Sequence, residues 1–355
     1  MIPYYLLIGA AAASCFYSKF IFRDSRHKSF GISVFFMLFM LLLMLRGISC
    51  GVDLVNYRLK YKAVISGDLR TLLSGSEEPL YILWEKLVSL VSGDFRVFIA
   101  LTAVVSVAPV MHFYRKEADK PFLAIVLFLC MGTFSIYFST LRQVLAMALA
   151  VPAWYCAKKR KILPFLAVIA AAVLMHNSAI VMLAIYPLYH VRITKKQLWF
   201  IAPAILISAV FNRQILTLLG KLLNIFSDRY TATITDTGSY TMLILFALFA
   251  VTTFVIPDSG KMDADTSAMR NILLFVVALQ CFAPVNTVAM RMNYYFITFV
   301  PVLMTRVLSR SSVRMEEIVK LADVVLTVFF TVYFFYNAYT GADILHVFPY
   351  VPFWR

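Results

Sequence analysis

The residues of this chain that could do chemistry fall in six short polar clusters set in apolar sequence. The most informative is Ser139-Thr140-Leu141-Arg142-Gln143. Ser139 reads as a helix N-cap, which leaves free backbone amides beside an arginine one turn in. A guanidinium grips two phosphate oxygens at once, and Gln143 adds amide donors. An arginine this close to hydrocarbon is costly, so it implies a partner or a task. Arg291, in Arg291-Met292-Asn293-Tyr294-Tyr295, is a second cation at a similar span boundary. Its tyrosines, Tyr294 included, also suit an ordinary interfacial belt.

The same clusters supply groups that could take a proton. Arg46-Gly47-Ile48-Ser49-Cys50-Gly51-Val52-Asp53, followed by Tyr57, sets an arginine and an aspartate at a span end. A snorkelling arginine explains Arg46 taken alone. His176-Asn177-Ser178 lies between two short apolar runs, and an exposed imidazole can accept or give a proton. Asp53 and His176 are both candidate general bases, and the sequence does not choose between them. Glu77-Glu78-Pro79 reads equally well as a helix start, where acids meet the dipole and proline suits the first turn. The stretch 213–239 carries Ser227-Asp228-Arg229-Tyr230, and loops of this length are usually functional or disordered. Two cations with a helix start point to an anionic substrate, a phosphate or pyrophosphate. Neither a P-loop nor a GxGxxG is present, which argues against a soluble nucleotide donor. The five cysteines show no CxxC and no Cys/His ligand spacing, so no metal and no other cofactor is expected.

Positioning these groups falls to apolar helices. Hydrophobic residues make up 62% of 355 and charged residues 14%, where a soluble domain has about half and about a quarter. A span needs about 20 apolar residues. Twelve candidate crossings follow, at roughly 2–20, 30–46, 95–113, 121–138, 141–157, 162–175, 178–190, 198–212, 240–257, 270–289, 293–308 and 321–338. The expected fold is therefore an all-α polytopic membrane protein, a single integral domain over 1–355. The runs 162–175 and 178–190 are short, and read as a tight hairpin or as re-entrant halves. The first run has neither a basic leader nor a small-residue cleavage site, so it reads as a retained span.

Orientation follows from charge. The net charge is +15, and 20 of the 33 Lys and Arg lie in compact alternate loops such as 115–120, 158–161 and 192–196. Such loops stay cytoplasmic, which places both termini outside, with outer loops at about 47–94 and 213–239. All six clusters then share the outer face. Leu80–Ser92 carries Trp84, Glu85 and Lys86 among apolar residues and reads as an amphipathic helix on that face. Membrane lipids are the partners this charge implies; no basic stretch interleaves with stacking aromatics, so nucleic acid is not one.

Taken in order, Arg46…Gly51-x-Asp53…Tyr57, Glu78…Tyr81, Ser139-x-x-Arg142-Gln143-x-x-Ala146, His176-x-Ser178-Ala179 and Arg291-x-x-Tyr294-Tyr295 resemble the EpsG-like family of Wzy-type polysaccharide polymerases. The resemblance runs from about residue 40 to 310; Leu54 stands where the family often has threonine. It implies a metal-independent glycosyltransferase, similar to the all-helical GT-C-type membrane enzymes, in the bacterial inner membrane with its active site facing the periplasm. Donor and acceptor would be undecaprenyl-pyrophosphate-linked oligosaccharides, joined into O-antigen or a related surface polysaccharide, with room for a chain-length regulator as partner. On that reading Arg142, with Ser139 and Gln143, holds the donor pyrophosphate, and Arg291 is a second clamp. Asp53 or His176 takes the proton. Arg46 and Tyr294 complete the binding set, and Tyr57, Glu78, Arg229 and Tyr230 hold sugars. An O-antigen ligase is the nearest alternative, and a glycan flippase or transporter a more distant one. Transporter sites sit near the midplane between repeats, and neither feature is visible here.

Overall fold

The computed structural model describes residues 1–21, 26–75, 78–223, 240–257, 262–312, 315–340 and 343–355. Among them the chain is helical throughout, with two isolated β-bridges and no strand. It divides into two compact units, Met1–Leu183 with Lys320–Arg355, and Ala184–Val319.

The first unit runs α1 (Ile2–Ile21), α2 (Arg26–Leu45), α3 (Leu54–Ser66), α4 (Leu69–Leu73), α5 (Pro79–Val91), α6 (Phe95–Glu117), α7 (Pro121–Cys130), α8 (Thr133–Ser139), α9 (Leu141–Ala148), α10 (Ala150–Lys158) and α11 (Ile162–Met175), with most of Glu316–Thr340 added late in the chain. Among the described residues α6 and Glu316–Thr340 are long and apolar enough to cross a membrane, and two bent pairs make four if each is one span. Exposed Leu321, Val325, Val328, Val332 and Tyr336 stripe the last of these helices. Soluble monomers rarely expose so continuous an apolar face.

Three expected runs are broken rather than continuous. The 121–138 run bends by 56° between α7 and α8, where Gly132 takes φ +80°. The 141–157 run is interrupted at Leu149, whose amide bonds the Ala146 carbonyl at 3.1 Å, one residue short of the α-helical partner. In the second unit the 293–308 run splits into Thr287–Ile297 and Val300–Ser309, because Pro301 has no amide to return to Ile297. The expected 270–289 run starts earlier, at Ala264, where Asp263 caps the Thr266 amide at 2.7 Å, and ends at Gln280. The second short run opens as a 3-10 helix, Asn177–Ala184, before Ile185–His190.

α3 and α5 pack together through aromatic rings. Tyr57, Tyr61, Tyr81, Phe95, Phe98, Leu141 and Leu145 form one buried cluster, and the Tyr61 and Phe98 rings stack at 4.8 Å. Each such ring stabilises the packing by about 1.5–3 kcal/mol. The polar residues of α5 are used inward. Trp84 donates to the Thr102 hydroxyl at 3.1 Å, and Lys86 Nζ caps the end of α3 through the Val64 and Gly67 carbonyls, both at 3.1 Å. Glu85 is buried, while Leu83, Leu87, Leu90 and Val91 face outward. The outer side of the helix is thus apolar, while its buried side carries Tyr81, Ile82 and Val88 together with the polar residues.

The chain end closes over the α2–α3 loop. Gly47 N donates to Val351 O at 2.7 Å, Gly51 N to His346 O at 3.1 Å, and Phe353 N to Leu45 O at 2.9 Å. Within that loop Gly51 takes φ +124°, and a Cβ there would stand 1.9 Å from the Phe138 carbonyl oxygen. Glycine is required by both the dihedral and the close approach.

Candidate active site

Three of the sequence clusters meet at one carboxylate. Pro79 opens α5, so Glu78 stands at its N-cap with extended backbone and its side chain free to reach elsewhere. Arg142 is the second residue of α9, and His176 caps the end of α11, its amide bonded to Ala172 O at 2.9 Å. Glu78 Oε2 accepts from Arg142 at 2.6 Å, and Glu78 Oε1 lies 3.0 Å from His176 Nδ1. The Asn177 amide adds a long contact to Oε1 at 3.5 Å. Glu78 is 7% exposed and each partner 26%, so the site is covered but reachable.

The electrostatics follow from this geometry. Burial pushes the Glu78 carboxyl up, but the His176 hydrogen bond and the Arg142 charge outweigh it and hold the group down at about 2. An ionised carboxylate only accepts hydrogen bonds, so His176 Nδ1 carries the proton toward it. With Nδ1 turned to Glu78, the ring's other nitrogen, Nε2, is left for substrate.

Aromatic rings fix Arg142. Its guanidinium carbon lies 5.9 Å from the Tyr57 ring centroid and 5.8 Å from that of Tyr81, so both rings flank the cation. Such contacts stabilise a cation by about 0.5–2 kcal/mol. Arg142 Nε is buried with no hydrogen-bond partner among the described residues. One nitrogen of the fork is thus spent on Glu78 while another is unused. Burial pushes the Tyr57 hydroxyl up, which keeps it a donor.

Ser139 does something other than cap a helix. α8 runs through it, Thr140 occupies the N-cap position of α9 without a side-chain bond, and the Ser139 hydroxyl donates to Asp53 Oδ2 at 3.1 Å. The Asp53 amide in turn lies 3.3 Å from that hydroxyl. Asp53 is therefore tied to the start of α3, the helix that carries Tyr57. Gln143 is buried in α9. Arg46 is buried too, donating to the Tyr137 carbonyl at 2.8 Å.

The remaining expected residues belong to the second unit or fall outside the described residues. Arg291 and Tyr294 belong to Thr287–Ile297 in the second unit; Arg291 is exposed and Tyr294 buried. Arg229 and Tyr230 fall outside the described residues. Tyr81 stands in the sequence only beside Glu78 in the family motif, with no role attached, and the segment 343–355 carries no motif. Tyr81 follows Glu78 by three residues, one helical turn, which was the available signal. The brace that 343–355 gives the α2–α3 loop rests on pairings some 300 residues apart and left no local signal.

The EpsG family model matches residues 29–352, nearly the whole chain. The chain belongs to the EpsG family. That family is a Wzy-like group of polysaccharide polymerases, which makes the protein a membrane protein of glycosyltransferase type. No curated protein and no solved structure matches it. In this EpsG-family chain the Glu78 site sets a reachable arginine beside a carboxylate–imidazole pair. Among the described residues no group of three or more His, Cys, Asp and Glu is placed to hold a metal ion.

Proposed function

We propose that the protein joins undecaprenyl-pyrophosphate-linked oligosaccharide repeat units at the periplasmic face of the bacterial inner membrane, building O-antigen or a related surface polysaccharide. Twelve crossings with both termini outside bring the Glu78, Arg142 and His176 cluster to that face. The observation that carries the reading is the Glu78 carboxylate shared between Arg142 and His176 at 2.6 and 3.0 Å.

The acceptor hydroxyl attacks the anomeric carbon of the donor. The bond from that carbon to the pyrophosphate oxygen breaks, and the lipid pyrophosphate leaves with the electron pair. Arg142, through the Nη2 that Glu78 does not use, meets the developing charge, an effect commonly worth a few kcal/mol per donor. His176 Nε2 takes the proton of the attacking hydroxyl, its ring oriented by Glu78 in the manner of a carboxylate–histidine pair. His176 is preferred to Asp53 because the Asp53 carboxylate is engaged by Ser139. Arg291 acts as a second clamp, and Arg229, Tyr230 and Tyr294 contact glycan. In this reading arginines rather than a divalent ion neutralise the leaving group, so polymerisation by the purified protein survives EDTA.

Cells lacking the protein test the reading. They should accumulate a single repeat unit on the lipid carrier and show no glycan ladder. A ladder that forms on the carrier but fails to reach lipid A would instead select a ligase. Repeat units trapped on the cytoplasmic side would select a flippase.

A further inference from the structure

A second group of cations lies within the same unit, on the opposite side of α3 from Tyr57. Tyr57 and Tyr61 are one turn apart on its buried face, and Arg58 and Lys62 are one turn apart on its exposed face. Arg58 and Lys62 line a cleft of about 470 Å³ together with Arg46, Arg96 and Arg355. Against these five cationic side chains the cleft has one acidic side chain, Asp94. That carboxylate is already used: it pairs with Arg96 at 2.5 Å and caps the start of α6 through the Arg96 amide at 2.9 Å. Arg46, Arg58, Lys62 and Arg355 make no ion pair among the described residues.

Arg46 is the informative member. It is 3% exposed, its one hydrogen bond is to the Tyr137 carbonyl, and its Nε has no partner among the described residues. A buried guanidinium without an anion is costly, and a bound anion in the cleft it lines would offset that cost. The loop that holds it is braced by the chain end, whose Phe353 ring sits 5.2 Å from the Arg96 guanidinium and closes one wall. The site is thus assembled by four separate segments rather than left by a chance surface cluster.

Joining two lipid-linked repeats needs two anion sites. The donor pyrophosphate is at the reacting carbon, while the acceptor pyrophosphate stands one repeat unit away from the attacking hydroxyl. We propose that the Arg46, Arg58, Lys62 and Arg355 cleft holds the pyrophosphate of the acceptor, with α3 separating it from the donor site at Arg142. This inference rests on the polymerase reading above. A phospholipid headgroup presents the same phosphate chemistry, and the test separates the two sources.

The test uses the full-length protein in nanodiscs and a single joining event. The donor is capped at its non-reducing end, so that it cannot accept. The acceptor is linked to its lipid pyrophosphate through carbon, so that it cannot donate. Arg58→Ala with Lys62→Ala removes two exposed charges and leaves the α3 core face intact. Each lost charge-assisted contact at such an exposed site weakens binding by roughly three- to tenfold. The acceptor KM should therefore rise about tenfold or more, with kcat within about twofold and the donor KM unchanged. The same glycan without pyrophosphate should be a poorer acceptor for the wild type and equally poor for both proteins. An unchanged acceptor KM, or a raised donor KM instead, overturns the inference and leaves the polymerase reading standing. An effect that vanishes in nanodiscs free of anionic phospholipid assigns the cleft to a headgroup and also overturns it. Failure of the wild type to join anything refutes the polymerase reading and the inference with it.

Discussion

Glu78→Gln removes one charge from the centre of the site while keeping the shape of the side chain. The wild-type carboxyl sits at about 2 against an ordinary 4.5, a difference that corresponds to about 3 kcal/mol of native-state stabilisation. With both partners 26% exposed, solvent screening reduces this to about 2 kcal/mol. The sign follows from the depressed value. Glu78 contributes fully above pH 4.5, and its contribution is lost as the pH falls from there toward 2. Glutamine has no such contribution at any pH. The variant should therefore unfold several degrees lower than wild type at pH 7, and the gap should close on acidification below pH 4.5. Its turnover should fall by about 100-fold or more, because the histidine loses the anion that orients it and sets its tautomer. Donor KM should change little, since Arg142 is released from its internal partner. Thermal unfolding across pH 3–7 and quantified ladder formation read both effects. A Glu78→Gln protein with wild-type turnover and an unchanged acid dependence would refute the shared-carboxylate arrangement.

Arg142→Lys keeps the charge but not the planar fork, so it should lose most polymerisation and Arg142→Ala nearly all, at normal protein level, while Arg115→Ala leaves the ladder intact. The blocked cells should accumulate single-repeat lipid-linked glycan. Gly51→Ala places a Cβ 1.9 Å from the Phe138 carbonyl at φ +124°, so it should cost about 3 kcal/mol or more, or abolish folding, as read by yield and unfolding temperature. Reporter fusions should place Asp236 in the periplasm and Lys159 and Asp263 in the cytoplasm; a cytoplasmic Asp236 would overturn the assignment of faces.

Much of the helical layout was legible because apolar runs and charged breaks are local signals. The breaks inside runs were less so. Gly132 and Pro301 mark two of them by residue type, whereas Leu149 carries no such mark. Arg142 stood out as a costly charge near hydrocarbon. Its partner did not, because Glu78 is 64 residues away and a helix start explained it sufficiently. Ser139 looked like a cap from its place ahead of Leu141; continuation of α8 through it turned its hydroxyl to Asp53 instead. The inward use of Trp84, Glu85 and Lys86 was hidden for a related reason. Polar residues on an amphipathic helix read as solvent-facing until the neighbouring α3 and α6 supply their partners.

Ladder formation by the purified protein in liposomes, supplied only with lipid-linked single repeats, tests the central claim most directly. Wild type should yield a ladder of joined repeats and release one lipid pyrophosphate per bond formed, and His176→Ala and Arg142→Ala proteins, folded and at equal amount, should yield neither. No ladder from the wild type, or an equal ladder from Arg142→Ala, would contradict the claim that this cluster is where repeat units are joined.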